Sequence, residues 1–225
     1  MLILRHAAWL LAKDIRVELR ARELLLSVAL FSVVIVLVFS FALATGLRPT
    51  MDVCAGMLWT ATSLAAVIGV GRAFEREREH DTLRGLMLLP ISPAAIYLSK
   101  LLGIFLLVSF VQTVVSLLIV LLFNLHLSLQ VVVPIVVLQL LGGLGVAAVA
   151  SLFGASLGRA RSREVLLPLV IYPLSVPVLI AGARGTAALL VGESSELWLK
   201  LLLVLCLVFI TLGLWLFGLL AGDHG

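Results

Sequence analysis

The stretch FEREREHDTLRGLMLLPISPAAIYLSK, Phe74 to Lys100, decides how this chain is organised. It is dense in charge and lies between two long apolar runs. In its middle, Leu86-Met87-Leu88-Leu89-Pro90 carries no charge. A short loop in water has no reason to display four large apolar side chains together, so membrane or another protein must cover them. Glu75 to Asp81 alternates in charge and continues the preceding run as a solvated helix. Asp81 or Thr82 can cap a short new helix whose apolar side is Leu83, Leu86, Met87 and Leu89. Pro90 stops it. Ser92-Pro93 then starts another helix, with serine as cap and proline at the first helical position. The reading is a helical hairpin that protrudes from a membrane. Its apolar ridge either lies on the bilayer surface or docks in a groove of a partner.

Around this hairpin the 225-residue chain is 63% hydrophobic and only 12% charged, with mean hydropathy +1.26. Soluble domains are closer to half apolar and a quarter charged. Six candidate spans follow, near residues 24–45, 53–71, 101–123, 131–157, 165–182 and 198–220, the fourth long and the fifth short. None has a charge in its middle. The first run, Leu24 to Thr45, is too long for the core of a cleaved signal peptide and reads as an uncleaved first span. The expected fold is an all-α membrane protein of six transmembrane helices, in one domain over residues 1–225.

Basic residues set the direction. Thirteen of the sixteen lie on one side: Arg5, Lys13, Arg16, Arg20 and Arg22; Arg72, Arg76, Arg78, Arg84 and Lys100; and Arg159, Arg161 and Arg163. Arg48, Arg184 and Lys200 lie on the other. Basic loops stay cytoplasmic, which predicts two cytoplasmic termini and a cytoplasmic loop over 72–100. The net charge of +4 sits between apolar spans, so it points to a membrane surface and to no nucleic acid. Residues 1–23 read as an amphipathic interfacial helix. Leu4, Ala8, Leu11, Ile15 and Leu19 form its apolar stripe, and Arg5, Lys13, Arg16 and Arg20 fall on another face with Trp9. The alternative is a basic tail that only sets topology.

Span four gathers Gly142, Gly143, Gly145, Ala147, Ala148, Ala150, Gly154 and Gly158, the last two forming GxxxG. Small residues let helices approach closely in lipid, so this cluster marks a helix–helix contact, within one chain or between copies. Span five carries Pro168, Pro173 and Pro177. Each removes a backbone donor and crowds the turn before it, which predicts a broken helix. Broken backbone at membrane depth must be covered by protein or line a wet cavity. The span is thus either a kinked packing helix or a conformational element that moves or lines a substrate path. Gln112 and Gln139 are expected to bond between helices. Cys54 and Cys206 read as packing residues.

Sequences of the form GxxxxGK[ST] and HExxH do not occur, nor does a Cys/His cluster at metal-ligand spacing. The chain is not read as an enzyme, and no catalytic or metal-binding residue is assigned. His6, His80, His126 and His224 are scattered at loops and termini. With no ionisable residue mid-span, an ion-driven carrier is disfavoured. Energy for driven work would enter from a partner.

The run F-x-R-x5-T-L-x-x-L-M-L-L-P, with Lys100 ten residues after Pro90, resembles the second cytoplasmic loop of the cytochrome c maturation permease subunits, the CcmB or haem exporter protein B family. Arg161-Ser162-Arg163-Glu164-Val165-Leu166-Leu167 and Pro173-Leu174-x-x-Pro177-x-Leu179-Ile180 resemble the same family. His80-Asp81 departs from the family's usual Asp-Gly, and Arg84 stands where an acidic residue is frequent. The resemblance implies a permease subunit of an ABC-type haem exporter complex in the bacterial cytoplasmic (inner) membrane. It implies a second copy of the chain and a separate ATP-binding subunit docked on Thr82, Leu83, Leu86, Met87, Leu89 and Pro90. A haem-handling membrane protein and a periplasmic haem chaperone would complete the complex. ATP would bind the partner subunit, haem would be the substrate, and no cofactor is assigned to this chain. ATP hydrolysis would drive either haem transfer or release of the haem-loaded chaperone. The chain lacks a Trp-rich haem-handling motif, which favours release. Two other readings stay open: a permease for another substrate, such as a lipid or drug, and a non-transporting scaffold for cytochrome c biogenesis.

Overall fold

The computed structural model describes residues 2–43, 50–79, 92–156 and 163–222. These residues form seven helices and no strand: α1 (Leu2–Ala21), α2 (Glu23–Leu43), α3 (Met51–Glu79), α4 (Pro93–Leu122), α5 (Leu129–Ser156), α6 (Arg163–Leu190) and α7 (Glu196–Gly222). The helices α2 to α7 are each long and apolar enough to cross a membrane. The six expected spans are all present, and the chain is a multi-pass membrane protein.

Helix α5 is the axis of the bundle. It packs against α3, α4, α6 and α7. Its first half exposes Val133, Val136, Val137 and Leu140, whereas its second half is rich in small, covered residues. Ala147, Ala148, Ala150 and Ser151 are fully buried. The glycine-rich contact foreseen in span four therefore lies within the chain. Gly142 faces α3, Gly143 faces Gln112 of α4, and Gly145 faces Val178 of α6 and Cys206 of α7. Gly154 lies in α5, while Gly158 is outside the described residues.

A tight junction lies at Trp59 of α3, which is 2% exposed. Its indole lies between Gly142 of α5 and Gly182 of α6, and a Cβ on either glycine would overlap the ring. The indole Nε1–H donates to Thr186 Oγ1 at 3.0 Å. Water exclusion does not drive association in lipid, so a flat ring slotted between two glycines supplies contact by dispersion, and its one polar atom is satisfied. A second slot of the same kind joins α4 to α7, where Tyr97 packs against Gly213. Gln139 Nε2 donates to Ser116 Oγ at 2.7 Å, the interhelical bond expected of it. Gln112 is buried with its Oε1 against Gly143. Cys54 and Cys206 are buried free thiols, as expected.

The outer spans show the opposite chemistry. Only 22% of the α2 span and 17% of the α7 span are buried, against 72% for α3. The first two are built almost wholly of Leu, Val, Ile and Phe, whereas α3 carries Thr60, Thr62, Ser63, Gly69 and Gly71. The most apolar surfaces face outward, as lipid requires and water would not allow.

Span five differs from expectation in two ways. It is not short, because α6 runs to Leu190 and so includes Arg184. Buried Gly185, Thr186, Ala187 and Ala188 continue it by packing although their residues are weakly apolar. Arg184 is exposed near the end of the span, where a long side chain can reach the interface. Nor is the helix broken, since α6 runs unbroken through Pro168, Pro173 and Pro177. Pro173 and Pro177 lie on its exposed side, with Leu174, Val176 and Ile180. The missing donors cost α6 single hydrogen bonds on that side and do not end it.

Because Trp59 is clamped from both sides, Gly142→Ala and Gly182→Ala should each destabilise the purified protein in detergent by about 1–3 kcal/mol. Trp59→Leu should make Gly142→Ala milder, so that the pair is less than additive. Thermal unfolding checks both effects.

Candidate docking hairpin and its base

The hairpin's stems are described and its tip is not. Thr82, Leu83, Leu86, Met87, Leu89 and Pro90 lie outside the described residues. The helix α3 continues past its apolar span, which ends at Ala73, and reaches Glu79. Its charged extension is therefore helical, as the alternating Glu and Arg suggested. At 1.5 Å per residue α3 is about 43 Å long, more than the roughly 30 Å of hydrocarbon. The return stem starts where Ser92-Pro93 predicted. Ser92 is extended (φ −62°, ψ 138°) and Pro93 opens α4, but the serine hydroxyl makes no capping bond. The proline supplies a helical φ and needs no amide partner, so α4 starts without a side-chain cap.

Lys100 is not a loop residue. It lies on the second turn of α4, with its side chain 7% exposed, and its Nζ is 2.9 Å from Asp14 Oδ2 of α1. Asp14 is one-third exposed and is also paired with Lys13 at 3.3 Å. Sequence reading missed this pair because a lysine at the edge of an apolar run looks like the end of a loop. The signal was there: Lys100 is the only charge in the thirty residues of α4, so it needs an anion nearby. Apolar contacts around the pair seat α1 on α4. Leu10 packs with Ile96, Tyr97 and Leu101.

The pair also fixes the rotation of α1. Its buried side is Ala7, with Leu10, Leu11, Asp14 and Glu18 partly covered. The foreseen stripe is thus turned by more than half a helical quadrant, since Ala8 and Leu19 are exposed. The cause is that Asp14 is drawn to Lys100, and periodicity of apolar residues alone cannot foresee a charged partner. The passage into α2 is a one-residue break at Arg22, whose φ of 57° is left-handed. Glu18 Oε1 accepts from the Leu25 amide at 3.3 Å and so satisfies an open N–H at the start of α2.

The helices of the hairpin's two stems are both tied into the bundle. One stem holds Trp59 and the other holds Lys100. The family model described as "CcmB protein" matches residues 5–219. The chain belongs to the CcmB family. The match takes in most of α1, the hairpin and all six spans. A curated relative, "Heme exporter protein B" of Bradyrhizobium diazoefficiens, is 29% identical over 188 residues, covering 83% of each chain. Among the described residues of this CcmB protein no cluster of His, Cys, Asp or Glu could hold a metal ion.

Asp14→Lys and Lys100→Asp should each lower stability by about 1–3 kcal/mol and loosen α1. The double swap should recover most of the loss, because it restores opposite charges. Unfolding midpoints and proteolysis within residues 1–22 measure the recovery.

Proposed function

We propose that this chain is the membrane subunit of an ATP-driven haem exporter complex that serves cytochrome c maturation in a bacterial inner membrane. The observation that carries the reading is the family match over nearly the whole chain, which includes the apolar run Leu86–Leu89 in a charged hairpin. Both termini and the hairpin face the cytoplasm, where thirteen of sixteen basic residues place them. A separate ATP-binding subunit covers the ridge of Leu83, Leu86, Met87 and Leu89, flanked by Thr82 and Pro90. Two copies of the chain pair with two ATP-binding subunits, and a haem-handling membrane protein and a periplasmic haem chaperone work with them. ATP binds the partner, and haem is handled as substrate by the complex.

The stems explain how such work could enter the bundle. A displacement of the docked tip would act on α3 and α4 together. Through α3 it would bear on Trp59 and so on α5 and α6. Through α4 it would bear on Asp14 of α1 and Gly213 of α7. Packed cores shift between discrete arrangements, so a small push at the tip is passed on as movement of whole helices. The product of that movement is haem transfer or release of the loaded chaperone. The bundle has no Trp-rich haem-handling motif, which favours release.

Burying one leucine contributes roughly 1.5–3 kcal/mol, and each 1.4 kcal/mol is about tenfold in affinity. Leu86→Asp removes that burial and puts a charge in an apolar contact. The ATP-binding subunit should then fail to co-purify, with loss of affinity of about a hundredfold or more, while the variant still inserts. Leu127→Asp, in the α4–α5 loop, is the control. Equal recovery of the ATP-binding subunit with both variants would contradict docking at the ridge.

A further inference from the structure

Once α1 is fixed on α4, its charges are sorted by sign. Asp14 and Glu18 face the bundle, one held by Lys100 and the other accepting from Leu25 of α2. Arg5, Lys13, Arg16 and Arg20 are all exposed. At 100° per residue these four fall in one arc of about 80°. Trp9, 72% exposed, lies at the centre of that arc. The arc is opposite the side that meets α4, so it points away from the bundle. We propose that this arc binds anionic phospholipid headgroups in the leaflet on its side of the bundle.

Depth supports this occupant. The thirty residues of α4 measure about 45 Å, against roughly 30 Å of hydrocarbon. The far end, Leu117 to Leu122, is wholly apolar, so the excess lies at the Lys100 end. The contact of Leu10 with Ile96, Tyr97 and Leu101 puts α1 beside those turns, at headgroup level. A face that points away from the bundle at that level meets lipid headgroups. Arginine fits the phosphate oxygens with paired N–H donors. The indole of Trp9 is suited to the same layer, with an apolar ring and one polar atom. A neutral leaflet would suit the Trp but would offer no counter-charge to the exposed cations around it, of which Lys13 has Asp14 beside it. An acidic protein would need the cations but would have no use for a single central Trp at bilayer depth.

The test uses the full chain, with a fluorophore on Ala12→Cys beside the arc and Cys54 and Cys206 replaced by Ala. It is reconstituted in phosphatidylcholine vesicles with about 30 mol % of a chain-brominated quencher lipid, either phosphatidylglycerol or phosphatidylcholine. Local enrichment should make quenching by the anionic quencher at least about twofold stronger than by the neutral one. The difference should vanish near 0.5 M salt, where screening acts over only about 4 Å. The variant Arg5→Gln, Lys13→Gln, Arg16→Gln, Arg20→Gln should show equal quenching at every salt concentration. Replacing the three arginines with lysine should keep the preference. Equal quenching in the unsubstituted arc, or a preference that survives the Gln variant, would overturn the proposal. Salt-sensitive shielding of the label by polyglutamate, without any lipid preference, would overturn it in favour of an acidic protein partner.

Discussion

Insertion of the Trp59 ring between Gly142 and Gly182 is the contact on which the bundle depends. In lipid, apolar side chains gain nothing by meeting each other in place of acyl chains, so close approach must do the work. The two glycines bring α5 and α6 up against one ring, and Thr186 accepts its N–H. Three spans are thereby held by one side chain. The rest of α5 follows the same rule: Ala147, Ala148 and Ala150 leave room for α4, α6 and α7. Spans α2 and α7, which meet fewer neighbours, keep their Leu, Val, Ile and Phe outward.

The same helices that form this junction continue into the hairpin. Helix α3 passes without a break from Trp59 to Glu79. Helix α4 returns from Pro93, packs at once through Ile96 and Tyr97, and is tied at Lys100 to α1. The hairpin thus starts and ends on two helices anchored in the bundle. That arrangement suits a subunit driven from outside, which needs a rigid path from a docking tip to the packed spans. It also gives α1 a structural part: it braces the return strut at the bilayer boundary.

Much of this was legible in the residues. Runs of apolar residues gave all six spans, Ser92-Pro93 gave the start of α4, and the small residues of span four gave the packing axis. What was not legible has a common cause. A span that is apolar all round shows no polarity contrast, so its packed face is set by side-chain size and shape. That Trp59 needs Gly142 and Gly182, far apart in sequence, follows only from the assembled bundle. The Lys100–Asp14 pair was not foreseen because Lys100 was counted with the basic residues of the loop and Asp14 drew no attention until Lys100 was beside it. Span five was misread because proline was weighed as a helix breaker, whereas Pro173 and Pro177 sit on the exposed side of a helix that buried Gly185, Thr186, Ala187 and Ala188 carry on to Leu190. The ridge of Leu86, Met87 and Leu89 was singled out by composition alone and lies outside the described residues.

The central claim is that the hairpin projects on the cytoplasmic side, where an ATP-binding partner can reach it. Single cysteines at Arg84, in the hairpin, and at Ser194, in the α6–α7 loop, test it in a background lacking Cys54 and Cys206. Intact cells are treated with a membrane-impermeant maleimide, before and after the membrane is permeabilised. The account predicts that position 194 is labelled in intact cells and position 84 only after permeabilisation. Labelling of position 84 in intact cells would place the hairpin outside and contradict the account.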